Sequence, residues 1–242
     1  MNLIKGFFKI IFSLFAVGVT LLAVIGIVLG IKGYQMYDAA VTETPIQEKV
    51  LSICQQEDFV PYEELPDIYV DAVVAVEDQR FWTHHGIDCL AIGRALWNDI
   101  RTLSFAEGGS TITQQLMKNQ YFTQEKTLER KFAEIFAAWE MEKTCTKQQI
   151  LELYVNTVYF GSGYYGIQEA TEGYFGKEAQ ELEDWEAVML AGLPNAPSVY
   201  SLDENPQLAQ QRMKQVLSRM VETEVLSSQQ ADEIFEQMES QL

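Results

Sequence analysis

The 242 residues carry 35 acidic and 17 basic side chains, a formal net charge of −18. A surface so acidic excludes nucleic acid as a partner, because phosphate binding requires basic surface to neutralise it. The length allows one domain plus an anchor. Cys54, Cys89 and Cys145 offer neither a disulfide framework nor close metal-ligand spacing, so buried or free thiols are expected.

In chain order, the first element is a 22-residue apolar run without charge, from Ile10 to Ile31. As a helix it would span roughly 33 Å, enough to cross a bilayer's hydrocarbon core. A cleaved signal peptide would have a shorter run, roughly 7–15 residues, ending in a small-residue cleavage site. Here Lys32-Gly33-Tyr34-Gln35-Met36 follows, so the run is read as an uncleaved transmembrane helix over residues 10–31. Lys5 and Lys9 precede it, and after Lys32 no basic residue occurs until Lys49. The positive-inside bias then puts residues 1–9 in the cytoplasm and the remainder outside the membrane. Beyond the three lysines, 14 basic residues face 35 acidic ones, and nine of the 14 lie between Arg80 and Lys147. Such a local basic cluster suits a bound anion.

Residues 32–61 read as a polar, acidic stalk, and residues 62–242 as a single domain. Its pattern is mostly helical. Ile68, Ala72, Val73 and Val76 recur at helical spacing, although the Val73-Val74-Ala75-Val76 run also suits a strand. Phe132, Ile135, Phe136 and Trp139 form an amphipathic stripe expected to face the core. Thr146 and Gln149 make a capping box ahead of Ile150, Leu153 and Tyr154. Gly161, Gly163 and Gly166 break the chain, a short helix closes at Gly176, and helices are expected around 184–192 and 206–221. Without a repeat or a convincing hairpin signal, the fold class is all-α.

Three clusters carry candidate chemistry. In EDQRFWTHHG (77–86), an apolar segment delivers two adjacent carboxylates near its end. If that segment is a helix, its dipole opposes acids there by about 0.3–1 kcal/mol each. One carboxylate placed for acid–base work is the functional reading; by spacing alone, ordinary surface acids are the simpler account. In GGSTITQQLMKN (108–119), two glycines lead into Ser110, an expected N-cap, and Thr111, Gln115 and Lys118 would share one helical stripe. Free N–H groups at that helix start suit an anion, and a solvated polar face is the alternative. In RKFAE (130–134), Arg130 and Glu134 share a face beside Lys131. This is either a surface ion pair or two cations for a phosphate with a carboxylate alongside.

Together the clusters resemble the glycosyltransferase family 51 domain, found in bifunctional penicillin-binding proteins and in monofunctional peptidoglycan transglycosylases. Five motifs occur in order: EDQRFWTHHG, GGSTITQQLMKN, RKFAE, KQQILELYVN (147–156), and Arg212 with Val216 and Leu217. The connecting YFGSGYYGIQEA and LAGLPNAPSVYS are also similar to the family. Met117 and Val155 depart from its usual residues, at no proposed catalytic position.

The resemblance implies a lysozyme-like helical fold with a small membrane-associated lobe, for which residues 86–105 are the candidate, with Leu90, Ile92, Leu96, Trp97, Leu103 and Phe105. Those apolar residues could otherwise belong to the core. The implied activity is polymerisation of lipid II into β-1,4-linked glycan, with release of undecaprenyl diphosphate. Glu77 is the implied general base, and Glu134 a second catalytic carboxylate that orients the cations or binds a divalent ion. Substrate-binding positions carried over are Asp78, Phe81, His84, Ser110, Thr111, Gln114, Gln115, Lys118, Asn119, Arg130 and Lys131. Asp78 and His84 would support Glu77. The sequence requires no cofactor and leaves room for a divalent cation, Mg or Mn, at the diphosphate. Implied partners are lipid II, the growing lipid-linked glycan, the bacterial cytoplasmic membrane and other cell-wall synthesis proteins. The S-x-x-K and K-T-G motifs of a transpeptidase do not occur. The competing readings are a lysozyme-like hydrolase or lytic transglycosylase, and a silent scaffold for cell-wall assembly.

Overall fold

The computed structural model describes residues 2–102, 108–123 and 125–241, with the side chains of residues 2–9, 11, 96, 99, 100 and 102 left aside. The apolar run lies within a single helix, α1 (Asn2–Glu43). Its side chains from Phe12 to Ile31 are largely exposed, and it is the one helix among the described residues long and apolar enough to cross a membrane. A helix satisfies its backbone polar groups internally, which is what hydrocarbon demands. Then come α2 (Ile46–Cys54), α3 (Asp67–Glu77), α4 (Cys89–Thr102), α5 (Ile112–Tyr121), α6 (Leu128–Thr144) and α7 (Lys147–Val155). A small antiparallel hairpin follows, β1 (Tyr159–Gly161) with β2 (Tyr164–Tyr165). The chain closes with α8 (Ile167–Phe175), α9 (Asp184–Gly192), α10 (Pro197–Tyr200), α11 (Pro206–Glu222) and α12 (Ser228–Gln241).

The architecture is all-α around α9. Trp185 to Gly192 are all buried, so this helix is enclosed on every side by α3, α11 and α12. Enclosure on all faces is what an apolar sequence without a polar stripe requires. Its one interior acid, Glu186, is paired with Lys177 at 2.8 Å. The Val73–Val76 run is helical, in α3, and not a strand. The capping box at Thr146 and Gln149 opens α7, and Gly176 ends α8 in a left-handed conformation.

Four expectations are corrected in detail. Residues 32–61 do not form a free stalk. α1 continues to Glu43, α2 follows, and Tyr37, Val41, Ile46, Val50 and Ile53 pack against the core. These residues recur at helical spacing inside a polar background, which composition alone conceals. The Phe132, Ile135, Phe136 and Trp139 stripe of α6 does not face the core. It faces α1, where Tyr34 and Tyr37 contact Phe136, while small residues (Ala133, Ala137, Ala138) turn inward. The N-cap of α5 is Thr111 and not Ser110. A hairpin is present where none was expected, since the glycines that break the helices also permit a tight reversal.

In the candidate lobe, α4 carries Leu90 and Trp97 outward, 71% and 67% exposed, while Ile92 is half-buried. Those two residues are therefore not core. Leu103 and Phe105, and the side chain of Leu96, lie outside the described residues.

Candidate active site

Glu77 is the last residue of α3, whose buried face (Tyr69, Val70, Ala72 to Ala75) fixes where the helix ends. Its side chain is only 7% exposed. Oε2 accepts a hydrogen bond from Gln115 Nε2 at 2.7 Å. The Gln115 amide is oriented in turn by Tyr154, whose hydroxyl donates to Gln115 Oε1 at 3.4 Å. Glu77 Oε1 is buried without a hydrogen-bond partner, with Arg212 Nη2 4.0 Å away. Burial raises the Glu77 carboxyl above its usual 4.5; the Gln115 bond and the Arg212 charge oppose the rise, Asp78 adds to it, and Lys118 opposes it. A buried carboxylate oxygen without a donor is a position where a donor is missing. Raised proton affinity at that oxygen is what a general base uses.

The neighbouring acid is placed differently. Asp78 Oδ2 accepts the backbone N–H of Ile112 at 3.0 Å and contacts His84 Nε2 at 2.8 Å. His84 Nδ1 lies 3.4 Å from Lys147 Nζ, which donates to Glu142 at 2.7 Å, and Thr113 donates to the same Glu142 oxygen at 2.6 Å. The Lys147 ammonium also sits 4.4 Å from the Phe81 ring centroid. This chain ties the end of α3 to the starts of α5 and α7. Gly86 completes the joint with φ +88°, its carbonyl accepting from Thr111 Oγ1 at 2.7 Å. A side chain there would be strained and would crowd the Ala138 backbone on α6.

The third group is cationic. Glu134, 2% exposed on the inward face of α6, accepts from Arg130 Nη1 and from Lys131 Nζ, the latter at 2.8 Å. Lys131 also donates to Ser110 Oγ at 2.6 Å. Lys118, from the last turn of α5, is close enough to interact electrostatically with Glu134, Arg130, Lys131 and Glu77. Burial lowers the Lys118 pKa; Glu134 opposes that, and the two other cations reinforce it. With Arg212, four cations face two carboxylates, Glu77 and Glu134, in a chain that is otherwise acidic. An excess of positive charge of this kind suits an anion.

The structure thus brings together Glu77, Gln115, Lys118, Ser110, Arg130, Lys131 and Glu134. Asp78, His84 and Phe81 stand behind them, Phe81 wholly buried. Thr111 and Gln114 are buried and bonded to each other in the capping box of α5, which occupies them in shaping the helix start. Asn119 is half-buried at the far end of α5. Two members were absent from the sequence-derived site. Arg212 is held by Gly192 O and Gln215, and Lys147 with Glu142 extends the Asp78 chain. Both cations stand in the quoted motifs, which was the available signal.

Both oxygens of Glu134 are engaged by cations, and no three His, Cys, Asp or Glu side chains gather as metal ligands among the described residues. This donor set does not fit a divalent ion held by protein alone.

A sequence model of the transglycosylase family matches residues 44–221. Penicillin-binding protein 1A of Aquifex aeolicus (strain VF5) is 45% identical over 179 residues, covering 74% of this chain and 25% of that protein. Penicillin-binding protein 1A of Neisseria lactamica is 42% identical (74% and 22%), and penicillin-binding protein 2D of Bacillus subtilis (strain 168) is 40% identical (74% and 26%). The chain spans about a quarter of the length of these relatives. With the family match over most of its length, the chain belongs to the transglycosylase family, glycosyltransferase family 51, the domain it shares with penicillin-binding proteins.

Proposed function

We propose that this protein is a peptidoglycan glycosyltransferase that polymerises lipid II, with Glu77 as general base. The observation that carries the reading is the pairing of a buried carboxylate, one oxygen free, with a group of cations that Lys118 links to it. The acceptor is lipid II and the donor is the growing glycan on undecaprenyl diphosphate. The acceptor's 4-hydroxyl gives its proton to Glu77 Oε1 as its oxygen attacks the donor's anomeric carbon. The bond from that carbon to the diphosphate breaks, and the new β-1,4 linkage forms with inversion. Undecaprenyl diphosphate departs as an anion, and Lys118, Arg130 and Lys131 meet the developing charge. Fixed charge of this kind often provides the largest share of catalysis. Glu134 holds Arg130 and Lys131 in place, Asp78 and His84 fix the end of α3, and no step is routed through a metal.

The membrane helix fits this reading, because a long isoprenoid carrier confines the substrate to the bilayer. Residues 1–9 are then cytoplasmic and the domain external, bound to the cytoplasmic membrane. Protease added outside spheroplasts should digest the domain; complete protection would reverse the orientation. The function is tested with the full-length protein and labelled lipid II. Lipid-linked polymer supports the proposal. Cleavage of intact sacculi without polymer would favour a lytic enzyme, and no turnover of either a scaffold.

A further inference from the structure

The anchor and the cations meet at one residue. Gly33 lies two positions beyond Ile31, where the apolar run ends, or about 3 Å further along the helix axis. A Cβ on Gly33 would overlap Phe132 Cβ and come within 2.9 Å of Glu129 O and 3.0 Å of Ala133 N. Helix α1 therefore crosses α6 backbone against backbone, at a separation only a glycine permits. The requirement is local. Cβ atoms on Gly18, Gly26 or Gly30 of the same helix would meet nothing within 4 Å. Around the crossing, Lys32 Nζ lies 3.5 Å from Glu129 Oε1, and the Tyr34 ring meets Phe136 edge-on at 5.5 Å.

The turns of α6 that Gly33 touches, from Glu129 to Ala133, carry Arg130 and Lys131, with Glu134 next in line. The opposite face of α6 (Glu134, Ala137, Ala138, Met141) is buried in the domain, so α6 cannot yield to a bulkier residue as readily as α1 can. The crossing lies about 3 Å beyond the end of a hydrocarbon-spanning segment, which is the level of lipid headgroups. We infer that the membrane helix is a fixed part of the catalytic unit, docked at Gly33, and that this contact sets Arg130, Lys131 and Glu134 at the height of a membrane-borne diphosphate. Gly33 is then a positioning residue. A loose tether would leave that height unset, and a misplacement of about 1 Å can cost a large factor in rate. The inference rests on the reading of the chain as an enzyme acting on a lipid diphosphate.

The test compares Gly33→Leu with Gly30→Leu in the full chain reconstituted in vesicles. Each variant is assayed on bilayer-embedded lipid II and on a water-soluble analogue with a short lipid chain. Gly33→Leu should lose about tenfold or more on the embedded substrate and keep its rate on the soluble one; Gly30→Leu should keep both. A short bismaleimide should join Lys32→Cys to Glu129→Cys, with native cysteines replaced by serine, when combined with Gly30→Leu and not with Gly33→Leu. Equal rates for the two variants on embedded substrate, equal losses by Gly33→Leu on both substrates, or equal cross-linking would each overturn the inference. A native chain that polymerises neither substrate would refute the enzymatic reading, and the cross-linking would still decide the docking.

Discussion

Asp78 accepts the backbone N–H of Ile112 at 3.0 Å, across 34 residues of chain. That bond divides the labour of two adjacent acids. Asp78 is occupied by Ile112 and His84, while its neighbour Glu77 keeps one oxygen free. Asp78→Asn should therefore act mainly on stability. It removes the charge from two buried hydrogen bonds, each of a kind that contributes about 1.5–3 kcal/mol. Thermal unfolding should show a clear fall in Tm. An unchanged Tm would mean that the bonds to His84 and Ile112 do not hold the α3–α5 joint.

The pH dependence follows from two opposed shifts. Burial raises Glu77 above 4.5 and lowers Lys118 below 10.5. A base must be ionised and an anion-binding lysine charged, so the pH profile of kcat/KM should be a bell. Its acid limb should rise with a midpoint above 4.5, and its alkaline limb should fall with a midpoint below 10.5. An acid limb at or below 4.5 would remove Glu77 as the group whose ionisation limits the rate.

The raised Glu77 pKa also bears on stability. A carboxyl whose pKa is higher folded than unfolded favours folding while protonated, and that contribution fades as pH rises from the unfolded value through the folded one. Above the unfolded value Glu77 is therefore a cost to the fold. Glu77→Gln, which keeps the shape and the acceptor for Gln115, should raise Tm at pH 7. The gain should shrink as pH falls toward 4.5 and be gone below it. A variant less stable than the native protein at pH 7 would show that the contacts with Arg212 and Gln115 outweigh burial.

Helix positions were legible in the sequence because period and caps are local signals. Thr146 with Gln149, and Gly176, marked their helix ends correctly. Which face of a helix turns inward was less legible. On α6 the large side chains meet α1, and alanines fill the core, because α6 is pressed between two partners. The polarity of 32–61 likewise concealed two packed helices. At the site, motif resemblance picked out Glu77, Lys118, Arg130, Lys131 and Glu134. It could not separate the residues grouped around Glu77 and Glu134 from Thr111 and Gln114, which are buried in a capping box. Nor could one sequence show that Arg212, far along the chain, reaches within 4.0 Å of Glu77.

Arg130 and Lys131 bind Glu134, yet the group as a whole carries more positive than negative charge. Alanine at either position should reduce polymerisation by about tenfold or more while changing Tm little, since charge that meets the leaving group acts on the transition state. Measured together, parallel losses of Tm and rate would assign these residues to a structural ion pair instead.

The central claim is that Glu77 removes the proton from the attacking hydroxyl. The most direct measurement is the initial rate of lipid II polymerisation by Glu77→Gln, beside Asp78→Asn and the native protein, with circular dichroism confirming that each is folded. Loss of a general base costs about 10²–10⁴ in rate, and contact with the reacting oxygen places Glu77→Gln toward the upper end. Lipid II binding should be largely retained, and Asp78→Asn should retain more activity than Glu77→Gln. A folded Glu77→Gln protein that polymerises at near the native rate would contradict the account, and so would an inactive, folded Asp78→Asn beside an active Glu77→Gln.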